Sequence, residues 1–407
     1  MRRPLPLLAT LLALVALAPA AQAAKPLPEA VRGIVAQSPV GDAASVVVRD
    51  GDGAVIVGVR PNAPRLPASN QKLVTIATAL DVLGPDARLA TTLVAEAEPV
   101  GGVISGDVWL VGGGDPTFST GAFADAYWGI YAPTADRLAA ELAAAGVTRI
   151  TGRLNADASR FDDVPGAPGW KPEFIPAQSP PISALTIDRA ASGPALRAAR
   201  AVRRALVRAG VRVGMARIAP APAADPVELA RVESAPVGIL VELAGRDSDN
   251  FVAEMLLKAA AAEATGRGTT AAGVEAEGGV LAELGVPDRG LALVDGSGLS
   301  YDNRATAAAL SLLLARVDDD PALGPAMRSA LATAGVNGTL AGRMTSGPAA
   351  GFVRAKTGSL NDASSLSGYA GACAFSVLVQ RTWVDQAAAH ALQDAIAQLL
   401  ARRSAEC

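Results

Sequence analysis

Residues 352–359, Phe352-Val353-Arg354-Ala355-Lys356-Thr357-Gly358-Ser359, carry the tripeptide on which the reading of this chain turns. The run predicts a strand. Lys356-Thr357-Gly358 within it is a match that chance produces well under once in a chain of this length. Gly358 removes the side chain that would keep a substrate backbone away, and Lys356 adds a cation. The bland alternative is an edge-strand lysine that discourages aggregation. Outward from this stretch, Ser364–Tyr369 and Ala374–Val379 read as further strands and Asp385–Arg402 as a closing helix. Leu392, Ile396, Leu399 and Leu400 share one face of that helix, which fits packing on a sheet better than adsorption to a membrane. Near the other end, Ala44–Arg49 and Ala54–Val57 read as strands around the turn Asp50-Gly51-Asp52-Gly53. The outer segments thus predict an α+β sheet covered by helices.

Two further groups can join Lys356 in chemistry. Ser69-Asn70-Gln71-Lys72 opens a helix whose Leu73, Ile76, Ala77 and Leu80 form a buried face, ending at Leu83-Gly84-Pro85. Ser69 and Lys72 then lie one turn apart on the same face. A serine in a first helical turn sits where the helix dipole favours developing negative charge, and a lysine with a lowered pKa can take its proton. Ser248-Asp249-Asn250 precedes another apolar helix and offers a second hydroxyl and an amide. Each has a structural alternative: an N-cap with a solvated lysine for the first, an N-cap for the second. Ser359-Leu360-Asn361 also matches the second pattern. Order and placement carry more weight, because SxxK, SxN and KTG occur in sequence on helix, loop and strand, the signature shared by β-lactamases and penicillin-binding proteins.

The middle of the chain reads as a separate module. Strands at Thr91–Ala95 and Val108–Val111, a helix near Ala135–Ala145 and a strand near Arg149–Ala156 lead to a Pro- and Gly-rich stretch, Val164–Pro181, and a basic helix, Pro194–Ala209. Gly112-Gly113-Gly114-Asp115-Pro116 lacks a following GK[ST] and reads as a turn, not a phosphate cradle. From Val227 the chain is expected to turn helical again, through Val237–Leu243, Asn250–Ala262 and Thr270–Leu284, a strand at Leu291–Val294 and a helix at Thr306–Val317. The expected division is 24–86 with 227–407 as one domain and 87–226 as an insert.

Composition narrows the chemistry. With 407 residues, a net charge of −3 and one histidine, His390, the chain has no broad basic footprint for nucleic acid and cannot build a multi-histidine metal site. A Ser-His-Asp hydrolase is disfavoured too, which leaves lysine as the leading base. Residues 1–23 read as a signal peptide: Arg2 and Arg3, an apolar run Leu7–Ala18 too short for a bilayer, then Ala21-Gln22-Ala23. The protein is therefore expected to be exported, without a transmembrane anchor. One disulfide, Cys373 with Cys407, is open to the chain, but Cys373, in Ala372–Phe375, reads more as a small core residue than as a framework cysteine.

The longer context of these motifs resembles a known family. Pro67–Leu73, Leu110–Thr117, Ser248–Glu254, Asp295–Ser300, Gly338–Leu340 and Ala355–Leu360 together resemble the class C low-molecular-mass penicillin-binding proteins, the D-alanyl-D-alanine carboxypeptidase/endopeptidases. The resemblance implies a serine penicillin-recognising, transpeptidase-like fold, an antiparallel sheet flanked by helices with a second domain inserted between SxxK and SxN. It implies a periplasmic or extracytoplasmic enzyme that hydrolyses peptidoglycan stem peptides, is acylated by β-lactams and needs no cofactor or metal. Ser69 would be the nucleophile and Lys72 its base; Ser248 with Lys356 would protonate the leaving D-alanine, and Asn250 would hold the substrate amide. Ser69 and Ser359 backbone N–H groups would form the oxyanion hole, with Thr357, Gly358 and Ser359 lining the substrate strand. Asp157 matches an acidic residue of the diamino-acid pocket; a surface turn is its alternative. The family's nested third domain looks absent after Ser183–Asp188, and Tyr301 stands where arginine is common. The rival readings are a serine β-lactamase and a catalytically silent wall-binding protein.

Overall fold

The computed structural model describes residues 25–222 and 225–407; the expected signal peptide lies outside them. The first sheet has six antiparallel strands in the spatial order Ala332–Thr333, Arg354–Leu360, Ala363–Ala370, Cys373–Gln380, Ala44–Arg49, Val55–Val59. The amino-terminal hairpin therefore completes the carboxy-terminal meander: Ala44–Arg49 pairs with Cys373–Gln380, Val46 opposite Val377. Both faces of this sheet are covered, which explains why strands Ala44–Arg49 and Cys373–Gln380 are mostly apolar along their whole length. Val46, Val48, Phe375, Val377 and Val379 face the helices Leu27–Gln37 and Gln386–Arg402. Val47, Tyr369 and Leu378 face a helical layer built from Lys72–Leu83, Val237–Gly245, Asn250–Thr265 and Ala307–Asp318. In Lys72–Leu83 every residue from Lys72 to Leu80 is buried, so this helix runs through the molecule rather than over its surface.

A second, five-stranded sheet has the order Ala216–Ile218, Leu154–Asp157, Val108–Gly112, Ala90–Ala95, Val227–Glu233. Its core packs against helices Ala135–Ala144 and Pro194–Arg208. The basic helix is strongly amphipathic: Ala198, Val202, Ala205 and Leu206 are buried while its arginines point outward. The expected helical return at Val227 is corrected here. Residues 227–233 form a strand antiparallel to Ala90–Ala95, and its alternating VELARVE pattern suits a sheet with one wet face. The chain leaves the second sheet only after Glu233. The expected strand at 291–294 is reduced to a single bridge, Ala292 with Arg304.

Cys373 is fully buried, as expected of a core residue, yet it is bonded to Cys407, with their Cα atoms 5.2 Å apart. The pairing left open by the sequence forms because the last residues, after helix Gln386–Arg402, fold back beside the hairpin turn: Gly51 N donates to Cys407 O at 3.1 Å. Sequence separation alone does not reveal such a return.

Candidate active site

Three elements from distant parts of the chain meet at one corner of the first sheet. Ser69 lies on the 3₁₀ turn Ala68–Gln71, and the α-helix proper starts at Lys72. Ala68 is left-handed, at φ 47°, which bends the chain so that the half-buried Ser69 faces the gap between helix and sheet. Strand Arg354–Leu360 closes that gap from the other side. A Cβ on Gly358 would sit 2.9 Å from Ser69 N and from Pro67 O, besides striking Ser365 Oγ, so glycine is the residue that lets strand and serine turn touch. Asn70 Nδ2 donates to Lys356 O at 3.0 Å and locks the two together.

Lys72 is fully buried and its ammonium has one acceptor for each proton. Nζ donates to Ser69 Oγ at 3.0 Å, Asn250 Oδ1 at 2.7 Å and Ser297 O at 2.6 Å. Burial pulls its pKa down to about 8 against the opposing pull of Asp295, Glu254 and Asp249. Lys356, also fully buried, donates to Ser248 Oγ at 2.8 Å and Thr357 O at 2.9 Å. Burial, with the nearby Lys72 charge, holds its pKa well below that of a free lysine. Two hydroxyl–amine pairs therefore share one cleft. The arrangement suits removing a proton from one alcohol while supplying one through the other, with no imidazole.

The loop Asp295–Ser300 is built to present the Ser297 carbonyl. Fully buried Asp295 accepts from Gly298 N at 2.8 Å, Ser300 N at 2.7 Å and Asn303 Nδ2 at 2.7 Å. Gly298, at φ 82°, passes so close to the serine turn that a Cβ would collide with Ala68 O. Glu254 accepts from Ser297 N at 2.8 Å, and burial beside Asp295 raises its pKa to about 7.

The second sheet's segment reaches this centre at three points. Gln178 O accepts from Asn250 Nδ2 at 3.1 Å, fixing the amide whose oxygen faces Lys72. Trp170 Nε1 donates to Asp295 Oδ2 at 2.8 Å. Arg189 pairs with Asp249 at 2.6 Å, both little exposed, while the other Asp249 oxygen caps helix Asn250–Thr265 through Val252 N. The Arg189 guanidinium also lies over the Phe251, Tyr127 and Trp128 rings. Ser248, left-handed at φ 61°, directly precedes the clamped Asp249.

The five residues expected to carry chemistry thus fall into two hydrogen-bonded groups at this corner, Ser69, Lys72 and Asn250 in one and Ser248 and Lys356 in the other. Thr357 Oγ1 bonds to Thr339 Oγ1 at 2.8 Å, and Ser359 is exposed on the same strand. Asp157 does not join them. It is buried at the end of its strand and its two oxygens accept from Ser159 N at 2.8 Å and Ala221 N at 2.7 Å. Each oxygen keeps a second acceptor position beyond its backbone amide, so these contacts fix the direction of the carboxylate. At Tyr301 the ring packs with Leu66, Ala68, Leu360 and Ala363, and the Lys171 ammonium, from the Pro- and Gly-rich arm, lies 5.1 Å from its centre.

Sequence reasoning missed Gln178, Trp170, Arg189 and the Ser297 carbonyl. Ser297 lay inside a quoted block, and Arg189 directly follows another. Gln178 and the carbonyl act through the main chain, which leaves no residue-type signal.

With this geometry in view, comparison with known proteins is decisive. The model of the D-Ala-D-Ala carboxypeptidase 3 (S13) family matches residues 27–193 and 186–403. The chain belongs to that peptidase family. It is 32% identical to the D-alanyl-D-alanine carboxypeptidase of Actinomadura sp. (strain R39), over 83% of this chain and 77% of the relative. Penicillin binding protein 4 (dacB) from Haemophilus influenzae shares the S13 chain's fold, with a TM-score of 0.77 at 21% identity, covering 92% of this chain and 99% of that one. A second structure of that protein, complexed with a β-lactam, superposes with a TM-score of 0.69 at 22% identity, again covering 92% and 99%. The S13 chain is a serine hydrolase of the penicillin-recognising fold. None of its helices among the described residues is long and apolar enough to cross a membrane.

Proposed function

We propose that this chain is an exported D-alanyl-D-alanine carboxypeptidase, extending to endopeptidase cleavage of cross-links, that trims peptidoglycan stem peptides through an acyl-serine intermediate. The observation that carries the reading is the 3.0 Å contact between Lys72 Nζ and Ser69 Oγ, with Lys356 and Ser248 paired beside it. Ser69 Oγ attacks the carbonyl of the penultimate D-alanine as its proton passes to Lys72. The oxyanion is held by Ser69 and Ser359 N–H groups. The C–N bond then breaks, the leaving D-alanine nitrogen takes a proton through Ser248 and Lys356, and water releases the acyl group. Asn250 holds the substrate amide.

Among the described residues, the strand Ala332–Thr333 covers only Ala355 and Arg354 on the outer edge of Arg354–Leu360. The open remainder can take a peptide as an added strand, with its terminal carboxylate at Thr357 and Ser359. We read residues 87–233 as the inserted module, returning seven residues later than the sequence suggested. A β-lactam enters the same cleft and acylates Ser69. Intact-mass measurement after exposure to benzylpenicillin tests the reading: one adduct on the Ser69 peptide should persist for many minutes, and turnover within seconds would instead mark a β-lactamase.

Arg189→Gln tests the clamp on the Ser248 turn. With Asp249 freed, acylation per reactive site should slow about tenfold, since small misplacements of reacting groups carry penalties of this order or larger. Arg189→Lys should recover part of the rate, and adding Asp249→Asn to Arg189→Gln should cost little more. An unchanged acylation rate in Arg189→Gln would remove the clamp from the mechanism.

A further inference from the structure

At the far end of the catalytic strand lies a cavity of about 360 Å³ lined by Ser359, Leu360, Asn361, Trp383, Val384 and Gln386. Trp383 is 75% exposed, although tryptophan is a residue that folding usually covers. It is also left-handed, at φ 53°. A bulky side chain in that region is strained, and such strain gathers at ligand clamps. The surrounding backbone holds the residue in place. Trp383 N donates to Asp362 Oδ1 at 2.9 Å, and Val384 N to Asn361 O at 2.9 Å. Gln386 Nε2 donates to Leu360 O at 2.8 Å and Ala363 O at 3.1 Å. The loop carrying the tryptophan is strapped onto the turn that follows the catalytic strand, so the ring is displayed rather than left loose.

Resting on the function proposed above, the direction of the substrate decides what reaches this cavity. A peptide whose carboxylate lies at Thr357 and whose scissile carbonyl lies at Ser359 N runs antiparallel to the strand. Its upstream residues then advance past Leu360 and Asn361 by about 3.3 Å each, directly into the cavity. We propose that Trp383 forms a subsite for the upstream part of the stem peptide, the acyl-peptide segment two or more residues before the scissile bond. The indole supplies a broad apolar face for that segment's aliphatic atoms and peptide planes, with little conformational entropy to lose. The subsite selects for chain length; the acylation chemistry stays with Ser69 and the lysines.

The test compares a substrate that fills the cavity with a probe too short to enter it. For the wild type, Trp383→Ala and Trp383→Phe, one measures kcat/KM for D-alanine release from a synthetic stem pentapeptide. The second-order rate of acylation by 6-aminopenicillanic acid, which lacks an acyl side chain, is measured on the same preparations. In Trp383→Ala the ratio of the two should fall about tenfold, mainly through KM, the loss expected for one well-seated aromatic anchor. Trp383→Phe should restore most of it. Because both rates are taken per reactive site, a loss of folded protein lowers them together and leaves the ratio alone. An unchanged ratio in Trp383→Ala overturns the subsite. Failure of the wild type itself to react with 6-aminopenicillanic acid would strike the proposed function instead, which keeps the two conclusions separable.

Discussion

Ser69→Ala is expected to leave no covalent penicillin adduct and to cut D-alanine release from a pentapeptide by at least about 10⁴-fold, the scale on which nucleophile loss acts in serine hydrolases. The reason is local. The other hydroxyls at the centre are committed elsewhere: Ser248 faces Lys356 and Thr357 faces Thr339. Of these side chains, Ser69 alone combines contact with Lys72 Nζ and its own N–H beside Gly358. The variant should keep its fold, because only a half-buried hydroxyl is removed. Unfolding monitored by circular dichroism, alongside D-alanine release and intact mass, checks the claim. Release at the wild-type rate would show that Ser69 is not the attacking group.

Lys72→Met is expected to slow acylation by about 10³-fold, within the usual range for loss of a positioned general base. The wild type should show a matching pH dependence. The base must be the free amine, and with a pKa of about 8 only about a tenth of Lys72 is neutral at pH 7. The acylation rate should therefore climb as pH rises through about 8 and level off above it, and the limb should be absent in Lys72→Met. Penicillin acylation followed from pH 6 to pH 10 measures this directly. A wild-type rate that is flat across that range would show that Lys72 does not act by gaining the proton of Ser69.

Much of the centre was legible because its chemistry depends on residue type. A serine and a lysine one helical turn apart, and a lysine ahead of glycine on a strand, make local patterns that survive without coordinates. The covered sheet was legible for a similar reason: strands buried on both faces, such as Cys373–Gln380, read as continuous apolar runs. Strand 227–233 was misread because its short alternating pattern competes with the helices that follow it. Only the partner strand Ala90–Ala95, more than a hundred residues earlier, settles its type. Asp157 shows what a motif match leaves open, since the backbone amides that orient its carboxylate come from Ser159 and the distant Ala221.

By itself the sequence determined which groups could react and in what order along the chain they stand, because side-chain identity sets acid–base and nucleophilic capacity. Tertiary structure alone decided which of them meet. Burial depresses both lysines, the Ser297 and Gln178 carbonyls orient Lys72 and Asn250, and Arg189 reaches across to Asp249. The same holds for Cys407 and its bond to Cys373. Desolvation and main-chain contacts arise from packing between segments far apart in the chain, so no local pattern of side chains encodes them.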